Sequence, residues 1–230
     1  MDVQVFADAA TVTQRAAARI AEDARAAIVA RGQFTLAVSG GRTPWQMLRA
    51  LAGLPLDWTR VHLFQVDERV APDGDPDRNL THIRASLLAH APLPAANLHA
   101  MPVTAPDLVA AAADYARELT RVAGSPPILD LAHLGLGPDG HTASLVPGDP
   151  VLAERQADVG LTAPYQGHPR MTLTYPALDR ARRILFVATG AEKVEMVRRL
   201  RAGDPTIPAG RVDASRASLY IDAPAAGASA

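Results

Sequence analysis

Leu129-Asp130-Leu131-Ala132-His133-Leu134-Gly135-Leu136-Gly137-Pro138-Asp139-Gly140-His141-Thr142-Ala143-Ser144-Leu145 is the stretch on which the fold turns. Its first six residues are mostly apolar and read as a strand buried on both faces, the signature of a parallel sheet. A glycine-rich loop follows at once. Its first six residues match GxGxxG after a strand, so a dinucleotide site has to be weighed. The chemistry excludes it. Asp139 would bring negative charge to the place a pyrophosphate needs, and Pro138 would stiffen the turn. Asp158, the acid downstream, lies beyond a long Pro/Gly loop. A better reading starts from Asp139 and His141. A loop histidine titrates near neutrality and moves protons, and a nearby carboxylate orients the ring. Ser144 adds the pieces of a Ser-His-Asp arrangement, but no GxSxG elbow surrounds it. The other six histidines are read as ordinary.

Outward from this loop the chain alternates between short apolar runs and helical stretches, an α/β fold with a mostly parallel sheet flanked by helices. Strands are expected at 3–6, 34–39, 61–66, 129–134, 159–163, 171–174, 183–188 and 219–221. Helices are expected after Asp8 or Thr11, from Pro44, over 79–88, from Asp107 to about Val122, and over 191–200. Gly32 ends the first helix. No linker divides the chain, so residues 1–223 read as a single domain and 224–230, all small residues and Pro, as a frayed tail.

Composition narrows the function classes. The 230 residues are 48% hydrophobic and 20% charged, with formal net charge −1. That balance suits a globular domain and gives no electrostatic reason to bind nucleic acid or an anionic membrane. There is no cysteine, so thiolate metal sites and a Cys nucleophile are out. No leader and no apolar run of bilayer length is seen, and the expectation is a cytoplasmic protein.

In open α/β sheets ligands bind beyond the carboxyl ends of the strands. Two further loops sit there. Ser39-Gly40-Gly41-Arg42-Thr43-Pro44 joins a strand to a helix; its glycines let backbone approach a ligand, and the helix N-terminus suits a phosphate. Asp67-Glu68-Arg69 ends a buried strand with three charges that need partners, from structure or from substrate. Arg170 precedes a strand, and Lys193 lies in the first turn of a helix, where a cation suits the dipole poorly unless it faces an anion.

These pieces together resemble the 6-phosphogluconolactonase family, which is related to the glucosamine-6-phosphate deaminases. The matching segments are SGGRTP (39–44), DER (67–69), GLGPDGHTASLVPG (135–148), RMTLTYPAL (170–178) and TGAEK (189–193), in the family's order. Val146 departs from an aromatic common there, and Arg42 from a smaller residue. The resemblance implies a Rossmann-like variant of the sugar-phosphate isomerase/deaminase kind that hydrolyses 6-phospho-D-glucono-1,5-lactone in the oxidative pentose phosphate pathway, without metal or cofactor. It implies His141 as the base with Asp139 nearby, and Arg69 and Asp67 lining the lactone site. Ser39, Gly40, Gly41, Arg42, Thr43, Arg170 and Lys193 would hold the phosphate. Whether Asp139 or Asp67 contacts His141 stays open. The expected partner is a phosphorylated sugar lactone, with no nucleic acid and no membrane, for a monomer or weak homodimer. A deaminase would carry Asp-Glu-Tyr at 67–69 and Asn-Glu-Pro after the histidine segment, where this chain has Leu145-Val146-Pro147. A non-catalytic sugar-phosphate sensor would lack the histidine or carry a DNA-binding segment.

Overall fold

The computed structural model describes residues 1–227. Ten strands occur among them: β1 (Asp2–Phe6), β2 (Phe34–Val38), β3 (Val61–Gln65), β4 (Asp67–Arg69), β5 (Leu98–His99), β6 (Leu131–Leu134), β7 (Val159–Leu161), β8 (Arg170–Leu173), β9 (Ile184–Ala188) and β10 (Ala217–Asp222). The helices are α1 (Ala9–Arg31), α2 (Arg42–Ala52), α3 (Asn79–Ile83), α4 (Leu108–Ala123), α5 (Tyr175–Asp179) and α6 (Val194–Arg201). Seven strands form one parallel sheet in the order β1-β10-β9-β6-β2-β3-β5. An antiparallel sheet, β4-β8-β7, sits beside it.

The apolar strands are buried on both faces, as their composition demands. Phe34, Leu36 and Val38 of β2 pack with α1 and α2; Ala37 faces the opposite core, built with α4, α5, α6 and the small sheet. β9 splits the same way, Leu185 and Val187 to one side and Phe186 and Ala188 to the other.

Asp8 caps α1, accepting from the Thr11 amide at 2.7 Å, and Gly32 closes it at φ 79°. The second helix differs from expectation. It begins at Arg42 with Gly41 as its N-cap, so Pro44 sits inside the first turn rather than opening it. The strand expected at 61–66 ends at Gln65, and the chain then enters β4, which its three charges hid. The expected helix over 79–88 is α3 continued by a π turn, Arg84–Leu88. Lys193 lies in a short 3-10 turn, Ala191–Lys193, just before α6. The first residues of the tail expected to fray are ordered. Residues 223–227 form a turn in which Ala225 is fully buried, and its amide donates to Asp222 at 2.9 Å. Residues 228–230 lie outside the described residues.

Connections decide where a site can form. After β2 the chain proceeds through α2 to β3 on one side; after β6 it proceeds to β9 on the other. The carboxyl ends of the neighbours β2 and β6 therefore bound the crevice where the winding reverses. The two loops there are 39–43 and 135–145.

Candidate functional site

A cleft of about 680 Å³ opens at that crevice. On one wall is the turn after β2. Gly40 has no room for a side chain, because a Cβ would run into the Asn79 amide. Gly41, at φ 120°, caps α2 without a side-chain bond, so the first-turn amides of Arg42 and Thr43 have no side-chain acceptor, and both residues line the cleft. The Ser39 hydroxyl is buried there without a partner. The Thr43 hydroxyl bonds the Thr189 hydroxyl at 2.8 Å, tying this turn to the end of β9. Arg42 lies exposed at the rim, and Lys193 reaches the same cleft half-buried.

The floor is charged. Of the 67–69 triplet, Glu68 turns away. Fully buried, it accepts from the amides of Arg69, Asn79 and Leu80 and from the Gln65 side chain, all within 2.9 Å, and pairs with Arg78 at 3.3 Å. Asp67 and Arg69 line the cleft. Asp67 is buried, accepting from Ser144 Oγ at 2.6 Å and receiving Asn79 Nδ2 on its carbonyl at 3.0 Å. Burial pushes its carboxyl up against the opposing pull of that hydroxyl and of Arg170. Arg69 and Arg170 are direct register partners across β4 and β8, so two guanidinium groups share one sheet face. Both line the cleft, and the Nε of each is buried without a partner. Their repulsion is offset by the buried Asp67 carboxylate, whose charge acts on both guanidinium groups and more strongly on Arg170 than Arg69 does.

The third wall is the 135–145 loop. His141 Nδ1 meets Asp139 Oδ1 at 2.5 Å, and the His141 amide donates to the same oxygen at 3.1 Å. Asp139 is therefore the carboxylate partner, and Asp67 is engaged with Ser144. Since a carboxylate only accepts, Nδ1 carries a hydrogen, so in the neutral ring the lone pair is on Nε2. Burial opposes ionisation of Asp139, but His141 and the Tyr165 hydroxyl hold its carboxyl below the usual range. Gly137 is required: a Cβ there would overlap the imidazole.

Ser39, Gly40, Gly41, Arg42, Thr43, Asp67, Arg69, His141, Arg170 and Lys193 thus line one cleft, with Asp139 behind His141. Ser144 is fully buried and bonds Asp67 instead of His141, which removes the triad arrangement. Sequence reasoning missed Tyr165, whose hydroxyl bonds Asp139, and three further participants. Asn79, read only as a helix start, reaches back to Asp67 and lines the cleft. Asp222 accepts from the Gly190 amide at 3.0 Å and shapes the loop before Lys193. His133, taken as ordinary, is buried beside the Ser39 amide, and burial holds it down at about 3. None carries a motif. Among the described residues no group of three or more His, Asp or Glu could hold a metal ion, and no helix is long and apolar enough to cross a membrane.

Residues 7–221 match the family model described as glucosamine-6-phosphate isomerases/6-phosphogluconolactonase. The chain belongs to that family. A 6-phosphogluconolactonase of Synechocystis sp. is 40% identical over 197 residues, covering 83% of this chain and 81% of the relative. The crystal structure of a 6-phosphogluconolactonase from Thermotoga maritima superposes with a TM-score of 0.86 at 27% identity, covering 96% and 98% of the two chains. A monomeric glucosamine-6-phosphate deaminase superposes equally well, TM-score 0.87 over 99% of each chain, at only 20% identity. The isomerase/lactonase family thus shares one backbone between two chemistries, and side chains must tell them apart.

Proposed function

We propose that this chain hydrolyses 6-phospho-D-glucono-1,5-lactone to 6-phospho-D-gluconate, the lactone step of the oxidative pentose phosphate pathway. The observation that carries the reading is the hydrogen-bonded Asp139–His141 pair at a cleft that also holds the 39–43 turn and the Arg69–Arg170 pair. Leu145 and Val146, both buried, stand where the deaminase branch is expected to carry Asn-Glu. The acidic residue that amine chemistry calls for is absent from that segment.

Lactone opening needs an activated water, a stabiliser for the tetrahedral oxyanion and a proton for the leaving alkoxide. His141 Nε2 takes the proton from water as it attacks C1, and Asp139 on Nδ1 stabilises the imidazolium that forms. Arg69, whose Nη1 donates to the Asp77 carbonyl at 2.7 Å and whose Nε is free, offsets charge on the carbonyl oxygen. The imidazolium then returns its proton to the ring oxygen. At the far end the α2 amides, Ser39, Arg42, Thr43, Arg170 and Lys193 hold the phosphoryl group, whose binding energy aims the carbonyl at His141. A coupled assay tests this: glucose 6-phosphate dehydrogenase supplies fresh lactone, and formation of 6-phosphogluconate faster than the spontaneous background is expected. Ammonia release from glucosamine 6-phosphate would overturn the reading. The same reading carries a cytoplasmic enzyme without metal or cofactor, a monomer or weak homodimer.

Lys193→Ala removes one charge-assisted contact to a remote group. The expected result is a KM higher by roughly 10–100-fold, about 1.5–3 kcal/mol, with kcat changed only a few-fold. Steady-state kinetics in buffer free of phosphate separates the two.

A further inference from the structure

The Asp139–His141 pair is held by a residue outside its own loop. Between β7 and β8 the chain makes a tight hairpin whose tip is closed by Tyr165 and His168: the Tyr165 amide donates to the His168 carbonyl at 2.9 Å and the His168 amide to the Tyr165 carbonyl at 3.3 Å. Gln166 and Gly167 between them have φ of 50° and 88°, the left-handed pair of a type I′ turn. His168 pins the tip to the neighbouring loop through the Val70 carbonyl at 3.2 Å and Asp77 Oδ2 at 3.1 Å. The Asp77 carbonyl is also the acceptor of Arg69.

This hairpin places Tyr165 between the reacting groups. Its hydroxyl donates to Asp139 Oδ2 at 3.1 Å, the oxygen that His141 does not use. Its ring stands edge-on to the His141 imidazole, centroids 5.5 Å apart at 71°. The Arg170 guanidinium lies over the ring at 5.0 Å from the centroid, and Arg170 Nη2 donates to the Tyr165 carbonyl at 3.3 Å. Asp139 is one third exposed, and its own loop bonds only Oδ1, leaving Oδ2 to Tyr165.

We propose that Tyr165 is a positioning residue for the reaction: its phenol locks the Asp139 carboxylate, and through it the tautomer and aim of His141, while its ring supports Arg170. The inference rests on the lactonase reading. Burial and the Asp139 charge hold the phenol above its ordinary range, so it remains a donor across neutral pH. A hydrogen bond to the second carboxylate oxygen also draws off charge that would otherwise stabilise the imidazolium. His141 is faced by Asp139 from its own loop and by Tyr165 from the hairpin, with Arg170 behind the ring.

The test is Tyr165→Phe, which keeps the ring and its stacking on Arg170, made in wild-type and Asp139→Asn backgrounds. The His141 ring resonances are titrated by NMR and steady-state kinetics is measured on the same proteins. In Tyr165→Phe the titration midpoint of His141 is expected to move up by about half a unit. The acid limb of kcat/KM should follow it, kcat should fall roughly 3–30-fold, and KM should change less than about 2-fold. In the Asp139→Asn background the second change should add little, because the carboxylate charge through which the phenol acts on His141 is gone. A His141 titration that superimposes on wild type, or a kcat loss of full size in the Asp139→Asn background, overturns the proposal. The titration needs no turnover. A wild-type protein that fails the coupled assay therefore refutes the lactonase reading by itself, and identical titrations in an active enzyme refute the role of Tyr165 alone.

Discussion

His141→Ala lowers kcat by roughly 10²–10⁴-fold, the range a general base contributes, while the affinity for 6-phosphogluconate stays within a few-fold of wild type. The split follows from geometry. The imidazole touches Asp139 and the edge of Tyr165, and the proposed phosphate groups lie on other elements: the α2 N-terminus, β8 and the turn before α6. Removing the ring leaves Asp139 with the residue-141 amide and the Tyr165 hydroxyl, so a partly exposed carboxylate keeps donors and the loop keeps its shape. Product binding by calorimetry and turnover against the spontaneous background check the two halves. Wild-type turnover in this variant would refute the mechanism. Loss of both affinity and turnover would show that the loop had collapsed.

Glu68→Ala destabilises the fold by about 3–5 kcal/mol, the cost of leaving a buried charge without its partner. Arg78 is only 3% exposed, and its other contacts are the Ala71 carbonyl at 3.4 Å and Asp73 at 3.9 Å. The same change strips the acceptor from the Asn79 and Leu80 amides and uncaps α3. At roughly 2–4 °C per kcal/mol for a domain of this size, the melting temperature falls by about 6–20 °C. Asp73→Ala, which loses the exposed pair with Arg84 and only a 3.9 Å contact with Arg78, is the control and should shift stability by under about 1 kcal/mol. Equal melting of wild type and Glu68→Ala would remove Glu68 from this structural role.

The same triplet shows what a sequence can and cannot reveal. Three charges ending a buried strand said that partners were needed. They could not say that the middle one serves a helix eleven residues away while its neighbours face the cleft. That division follows from β-strand alternation once β4 is known to be a strand, and its composition concealed it. The parallel strands were legible because burial on both faces leaves a continuous apolar run. The glycine turn and the Asp139–His141 loop were legible because local backbone chemistry specifies them. Asn79, Tyr165 and Asp222 were not: each reaches the site across a long sequence separation, and no spacing rule encodes a hairpin tip or a strand end. Within residues 224–227 the burial of Ala225 was hidden for the opposite reason, since a run of small residues has no periodicity to announce it.

Arg69 and Arg170 face each other across two strands with only one buried carboxylate, Asp67, between their two charges. If Arg170 holds phosphate as proposed, an oxyanion bound there is thermodynamically linked to folding. Millimolar inorganic phosphate should therefore raise the melting temperature in proportion to the logarithm of its concentration, and Arg170→Ala should flatten that slope. On that proposal the fraction folded near the melting temperature would depend on how much sugar phosphate surrounds the protein, an equilibrium coupling between its stability and its own substrate class.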